Sequence, residues 1–261
     1  MLILPLLIGL IAGCATYQDS NGKAQDDLSI ANALLSIEQQ FEARKSAGDA
    51  IGMARAAKER LELLELIRPS GSIGSIEDQS RGLRRHEAIE TGALEMVKAA
   101  KVLAREDPDM LSRIERLFPE QQTAQSGGLG DFSGLIGERR AVKVTIGLEV
   151  DATLEPNEPE RLELPVDGME GTTIYVQPVG RQYAEMPTEL SMRVKRLPVG
   201  PDPTKTVCAR RADYGRLSCY VAPSEHTSVE ITLTNHNSFR VPVLIFVSGN
   251  AASVTTALAQ E

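Results

Sequence analysis

The spacing of apolar residues changes once along this chain, and that change constrains the fold more than any other feature. Up to Pro119 the apolar residues recur at every third or fourth position, which is typical of helices that bury one face. From Ala141 onward they alternate with other residues, which is typical of half-buried strands. The stretch 120–137 between them is rich in Gln, Ser and Gly and is predicted to be a linker. We therefore expect an α+β protein of two segregated domains, an N-terminal helical bundle (26–119) followed by an antiparallel β-sandwich (138–249).

Four helices are predicted in the first domain. They begin after Asp26, near Asp49, between Ile76 and Leu83, and at the pair Asp107-Pro108, which is a typical helix start. Their inward stripes are Ile30, Leu34, Ile37 and Phe41; Met53, Ala57, Leu61 and Leu64; Ile89, Ala93, Met96, Ala100 and Leu103; and Leu111, Ile114 and Leu117 or Phe118. Stripes this regular are more often plain core than a site for a cofactor, so none is predicted.

Strands are predicted at short intervals in the second domain. They cover 141–150, 161–164, 172–179, 189–196, 206–209, 217–221, 229–234 and 243–247. Pro, Gly, Asn and Asp lie between them, and no helices do, which favours an antiparallel sandwich. The small, polar residues 250–261 are predicted to be a disordered tail.

Two cysteines near the C-terminus are predicted to form a disulfide. Cys208 and Cys219 lie symmetrically about a turn at Asp213-Tyr214, and a hairpin through that turn would place them opposite one another. A metal or redox pair is the alternative, but the sequence has no CxxC spacing and no clustered histidines.

The N-terminus has the pattern of a targeting segment. Residues 1–13 are an uninterrupted apolar run, which is of the length of a signal-peptide core and too short to span a bilayer. The run closes on Ile11-Ala12-Gly13-Cys14, which resembles the bacterial lipobox. That resemblance implies cleavage before Cys14, lipid on its thiol and a membrane as partner, and Ala15 implies outer-membrane delivery, facing the periplasm, where the organism has two membranes. Residues 14–25 are then expected to be a flexible, lipidated tether.

The lipobox resemblance has one departure from the usual pattern. A signal peptide normally begins with positively charged residues, but here no Lys or Arg precedes Lys23. A start site placed downstream of the true one would account for this difference. Without lipidation, Cys14 would be an ordinary buried cysteine after a short apolar segment.

The last two predicted strands, 228–234 and 241–247, resemble the closing hairpin of the pre-peptidase C-terminal domains of exported bacterial proteins. The resemblance lies in the strand pattern and includes no diagnostic motif. It implies a compact β-sandwich without catalytic residues of its own.

Composition and motifs exclude several classes of function. A formal net charge of −8, with no block of Lys and Arg, excludes a nucleic-acid partner. His86, His226 and His236 are the histidines of the chain, and none has the companions of a catalytic triad or a metal site. The basic run is expected to be a solvated helix face balanced by nearby acids rather than a surface for anionic lipid; it comprises Arg81, Arg84, Arg85 and His86.

Three functions stay open on the sequence alone. The first is a non-catalytic adaptor of the cell envelope with a protein partner, which the lipid anchor and the helical module favour. The second is a ligand-binding module whose β-sandwich takes a cell-wall glycan or peptide, although aromatic residues, at 4% of the chain, are scarce for glycan binding. The third is an enzyme whose site residues are too dispersed to recognise.

Overall fold

The computed structural model describes residues 27–67, 76–118, 143–145, 147–166, 171–197, 205–212, 215–222 and 227–248. The predicted signal peptide, tether, linker and tail lie outside these residues. Within them, helices come first and two antiparallel four-stranded sheets follow. This confirms the predicted α+β combination with its helices in the N-terminal part.

The four predicted helices are confirmed, and local capping explains where two of them begin. They are α1 (Ile30–Ser46), α2 (Ala50–Ile67), α3 (Ile76–Leu103) and α4 (Pro108–Glu115). The Ser29 hydroxyl accepts a hydrogen bond from the backbone N–H of Asn32 at 3.2 Å, at the start of α1. The Asp107 carboxylate does the same for Met110 at 3.0 Å, at the start of α4. Such caps satisfy backbone donors that have no partner inside the helix, and each contributes about 1 kcal/mol.

The predicted strand 141–150 is divided in two. Strand β2 (Lys143–Thr145) pairs in parallel with β1 (Asp27–Ser29), a strand that was not predicted, whereas β3 (Leu148–Leu154) belongs to a four-stranded sheet. Gly147 lies at the division. A Cβ atom at this position would collide with the backbone carbonyl oxygen of Val247, so only glycine permits this close approach.

The remaining strands form two sheets, which we call the first and second sheet. The first sheet has the order β3-β10-β5-β8, with β5 (Thr172–Pro178), β8 (Leu217–Val221) and β10 (Val241–Val247). The second sheet has the order β4-β9-β6-β7, with β4 (Pro159–Val166), β6 (Leu190–Arg196), β7 (Lys205–Ala212) and β9 (Thr227–Asn235). A short helix, α5 (Gln182–Glu185), connects β5 to β6, although the sequence predicted no helix among the strands.

Two predicted hairpins are wrong. Strands β7 and β8 lie in different sheets, and so do β9 and β10, because in each case the chain crosses from one sheet to the other instead of turning back within one. The hairpin that was expected to place Cys208 opposite Cys219 is therefore absent from the described residues. The strand pair on which the likeness to pre-peptidase C-terminal domains rested is not a hairpin either.

The first sheet is covered on both faces. Tyr175, Leu244 and Phe246 pack into one apolar cluster with the stripes of α1, α2, α3 and α4. Leu103, which was predicted to face inward from α3, lies outside this cluster and is exposed. The strand neighbours of these sheet residues, Ile174 and Ile245, pack into a second cluster with the inward residues of the second sheet. All seven residues of β5 are consequently buried. Helices and sheets thus meet across a shared apolar interface.

Candidate functional site

A cluster of buried polar side chains lies where the helices meet the first sheet. We call it the buried cluster. Charged side chains are almost never fully buried unless they are paired. Two buried ones, Arg60 and Glu95, and two that are largely buried, Glu38 and Arg216, therefore need a physical explanation at one interface. Its members come from three helices, from β5 and from the residue before β8: Glu38, Arg60, Glu95, Tyr175, Gln177 and Arg216.

Arg60 joins α2 to both of its neighbours in the cluster. Its side chain is 0% exposed. The guanidinium donates to the Ile89 carbonyl oxygen on α3 at 3.0 Å, to the Tyr175 hydroxyl at 2.6 Å and to Gln177 Oε1 at 2.7 Å. These acceptors are all uncharged. Within the described residues, the hydrogen bonds of the Arg60 guanidinium therefore go to neutral oxygens, and none goes to a carboxylate.

Arg216 joins the sheet to α1 and α3 through charge. Its Nε lies 3.1 Å from Glu38 Oε2, and its Nη1 donates to Glu95 Oε2 at 2.9 Å. Its guanidinium also lies over the ring of Phe41, with Cζ 5.2 Å from the ring centroid. Burial alone would lower the pKa of Arg216, but the carboxylates of Glu38 and Glu95 outweigh it and raise that pKa, so the guanidinium stays charged.

Glu95 is a buried carboxyl whose pKa is clearly raised. Its side chain is almost inaccessible, and no group of the described residues donates a hydrogen bond to its Oε1. Burial raises the pKa of Glu95 to about 7, although Arg216 and Arg60 oppose that change. Glu38 adds to it, because its carboxylate repels a second negative charge beside the shared guanidinium.

Tyr175 and Gly92 complete the packing of the cluster. The Tyr175 hydroxyl accepts from Arg60 and donates to Glu38 Oε2 at 3.1 Å, and burial raises its pKa, so it stays protonated. Gly92, on α3, faces the Arg60 guanidinium. A Cβ atom at that position would overlap the guanidinium nitrogens, so the glycine makes room for the buried charge.

The buried cluster is equipped to hold elements together and to exchange a proton. Its two guanidinium groups tie α1, α2 and α3 to the first sheet through hydrogen bonds to carbonyl, amide, phenol and carboxylate oxygens. The Glu95 carboxyl, with a pKa of about 7, can gain or lose a proton near neutral pH. In the part of the chain that the structure describes, no group of three or more His, Cys, Asp or Glu side chains is placed to hold a metal ion.

The structure places the two predicted disulfide cysteines side by side, but across the sheets. Cys208 is half-buried on β7 of the second sheet, Cys219 is 2% exposed on β8 of the first, and both thiols are free. Burial raises the pKa of the Cys219 thiol, and a hydrogen bond with the Cys208 thiol raises it further. The two thiols are therefore neighbours across the two sheets, and not as partners in the predicted hairpin.

The other residues singled out in the sequence lie apart from the buried cluster. Cys14 and His226 are outside the described residues. His236 is exposed and shares a 2.8 Å hydrogen bond with the Ser191 hydroxyl, and His86 is half-buried on α3.

Arg84 and Arg85 of the basic run on α3 pair with acids of the first sheet, whereas the sequence predicted acids nearby in the chain. Arg84 pairs with Asp151 at 2.9 Å, and Arg85 makes a half-buried, two-pronged ion pair with Glu149. Both acids belong to β3. Together these pairs fix α3 to the edge strand of the first sheet.

The described helices include none that is both long and apolar enough to cross a bilayer.

Sequence reasoning missed the buried cluster, although the chain carried a sign of it. Arg60 lies at the helical spacing that links Met53, Ala57 and Leu64, so it occupies a place in an otherwise apolar stripe. The continuous apolar run of β10 and the three adjacent apolar residues 174–176 of β5, rather than alternation, also indicate strands that are covered on both faces. Together these two signs predict a charged residue at a buried junction of helix and sheet.

No protein-family model matches the chain, and no curated protein matches its sequence. Two solved structures are similar in part. The Yersinia pseudotuberculosis-derived mitogen has a TM-score of 0.30 and 11% identity, over 42% of this chain and 93% of its own. The surface-associated copper-binding protein CorA of Methylomicrobium album BG8 has a TM-score of 0.29 and 10% identity, over 38% of this chain and 92% of its own. Likenesses at these scores assign neither a fold family nor a function.

Proposed function

We propose that this protein is a bacterial envelope lipoprotein, held at a membrane by lipid on Cys14, that acts as a non-catalytic adaptor for another envelope protein. The anchor is supported by the sequence Ile11-Ala12-Gly13-Cys14 behind the apolar run 1–13. Ala15 favours the outer membrane, on its periplasmic side, where the organism has two membranes. The adaptor role is supported by the helical layer, which one face of the first sheet holds in place.

The observation that carries the adaptor proposal is an exposed apolar pair at the end of α3. Val102 is 59% exposed and Leu103 is 46% exposed, although the same helix buries its opposite stripe completely. Exposed apolar side chains that lie next to one another are a feature of protein interaction sites. We assign this end of α3 to partner contact.

The adaptor proposal is tested by capture after crosslinking in cells. We expect the native protein to incorporate labelled palmitate and to capture one envelope protein. The Cys14→Ser variant should lose the label, and a Val102→Lys/Leu103→Lys variant should keep it but capture about tenfold less partner, as the loss of an interface hot spot implies. Arg113→Gln, an exposed change on α4, is the matched control and should behave as the native protein does. Equal capture by the lysine variant, or no label on the native chain, would contradict the proposal.

A second candidate, a ligand-binding sheet, is favoured by one row of the second sheet. Arg161 and Arg193 flank Thr232 in register on its exposed face. Neither arginine makes an ion pair or a hydrogen bond within the described ranges, so both are available for a carboxylate of a wall peptide. Saturable binding of wall peptides that needs Arg193, without any captured protein, would favour this candidate over the adaptor.

The finer architecture is part of the same proposal. The two sheets are proposed to form a sandwich, because their inward residues share one apolar cluster. We propose that the chain divides into a helical region, residues 26–119, and a region of strands, residues 138–249. The contacts of Tyr175 and Phe246 with the helices connect the two regions.

We also propose that Cys208 and Cys219 are joined in an oxidising compartment, as a bridge between the sheets. Two thiols would lose two protons and two electrons to a thiol–disulfide oxidoreductase and form one S–S bond. Cys208, which is half-buried, would react first, because the buried Cys219 thiol resists ionisation.

Oxidation is expected to remove both alkylatable thiols and to raise the free energy of unfolding by about 3 kcal/mol. Thiol alkylation followed by mass spectrometry, with and without reductant, measures the first effect, and denaturant titration measures the second. A Cys208→Ser variant should gain nothing from oxidation. Two alkylatable thiols in protein purified from the envelope would refute the bridge.

A further inference from the structure

We propose that the buried cluster is a proton-controlled clasp, which holds the helices on the first sheet more firmly when Glu95 carries a proton than when it is ionised. The inference does not depend on the adaptor, the anchor or the disulfide. It rests on the arrangement of charged groups at one interface.

The two guanidinium groups near Glu95 differ in which groups they bond to. Glu38 faces it from α1, Arg60 from α2, Arg216 from the residue before β8 and the Tyr175 phenol from β5. Among the described residues, Arg60 donates to neutral oxygens, whereas Arg216 bonds directly to both carboxylates. One guanidinium thus bonds to two carboxylates. With Arg60 counted, the cluster has no net charge when both carboxylates are ionised, so a proton on Glu95 is favoured chiefly by the burial of that side chain.

The geometry selects Glu95 as the carboxyl that takes the proton. Both oxygens of Glu38 have donors, the Tyr175 hydroxyl and the Arg216 Nε, and its side chain is more accessible than that of Glu95. Glu95 has a donor on Oε2 alone, and its Oε1 is buried without one among the described residues. A buried negative oxygen without a donor is costly, whereas a neutral carboxylic acid is much less so.

The direction of the pH effect follows from linkage. The pKa of Glu95 is about 7 in the folded protein, against the ordinary value of 4.5. The folded state therefore binds more protons than the unfolded state between these values. The stabilisation is complete below the unfolded pKa and is lost as the pH rises through about 7.

The experiment is denaturant unfolding of the full chain at several pH values between 5 and 8. Glu95→Gln is the test variant, because its carboxamide imitates the protonated acid, and Glu87→Gln is the control, because Glu87 is exposed on the same helix. From pH 5 to pH 8, we expect the unfolding constant of the native protein to rise about 70-fold relative to that of Glu95→Gln. Glu87→Gln should follow the native protein. Parallel pH profiles for Glu95→Gln and the native protein would overturn the proposal.

Two further measurements keep the proposal testable if the variant does not fold. Carboxyl carbon chemical shifts of the native protein report the titration of Glu95 directly, and a midpoint below pH 5 would overturn the clasp. Amide hydrogen exchange locates the effect. We expect protection in α3 and at Tyr175–Gln177 to fall between pH 6 and pH 8, and unchanged protection at both places would also overturn it.

Discussion

Replacing Arg60 with methionine is expected to lower the free energy of unfolding by about 3–5 kcal/mol, because each buried polar group left without its partner costs about 1–3 kcal/mol. Methionine retains an unbranched apolar chain but donates no hydrogen bond. The carbonyl of Ile89, the Tyr175 hydroxyl and Gln177 Oε1 would all lose their donor within a buried site. Denaturant titration of the purified protein measures the change.

The matched control for this substitution is Arg55→Met on the same helix. Arg55 is exposed, so its replacement should change the free energy of unfolding by about 0.5 kcal/mol or less. If Arg60→Met and Arg55→Met had equal effects, the buried cluster would contribute nothing to docking of the helices.

Replacing Phe246 with alanine is expected to cost about 3–5 kcal/mol and to destabilise helices and sheets together. Phe246 is a buried residue of the central strand β10, and it packs in one cluster with residues of the helices. Helical circular dichroism and tyrosine fluorescence, to which the sheet residues Tyr175 and Tyr220 contribute among the five tyrosines of the chain, should give coincident denaturation curves in both proteins. The variant should shift both curves by the same amount.

The same experiment decides whether the two regions of the chain are independent domains. If they are, the helical signal should unfold at its own denaturant concentration, and Phe246→Ala should shift mainly the sheet signal. Val102→Ala is the control, since Val102 is exposed on α3 and its truncation should shift neither curve measurably.

Local periodicity was enough to predict most of the elements but not their partners. The stripe that contains Leu34 and Phe41 predicted α1, and the alternation around Ile231 and Leu233 predicted β9, because these signals depend only on burial of one face. Which strands pair is decided by contacts between distant residues. The short segment between Asn235 and Val241 predicted a hairpin, but the chain uses it to cross from one sheet to the other.

The buried cluster was not predicted, because its members are far apart in the sequence. Tyr175 and Glu38 are separated by 137 positions, and Arg216 and Glu38 by 178. Each looks ordinary in its own segment. Glu38 resembles one of many charged positions on a helix, and only the folded chain reveals that it meets a guanidinium from the other end of the protein.

The lipid on Cys14 stays a prediction.

The position of β10 has a consequence for how the protein reaches its folded state. This strand is the last of the described elements, yet it lies between β3 and β5 in the first sheet. The helices leave the ribosome first, but the surface against which they pack is incomplete until residues 241–247 have been made. Such long-range pairing slows folding. The order of synthesis and the order of assembly are therefore opposed, and a chain interrupted before Val241 would leave the apolar stripes of its helices exposed to chaperones and proteases.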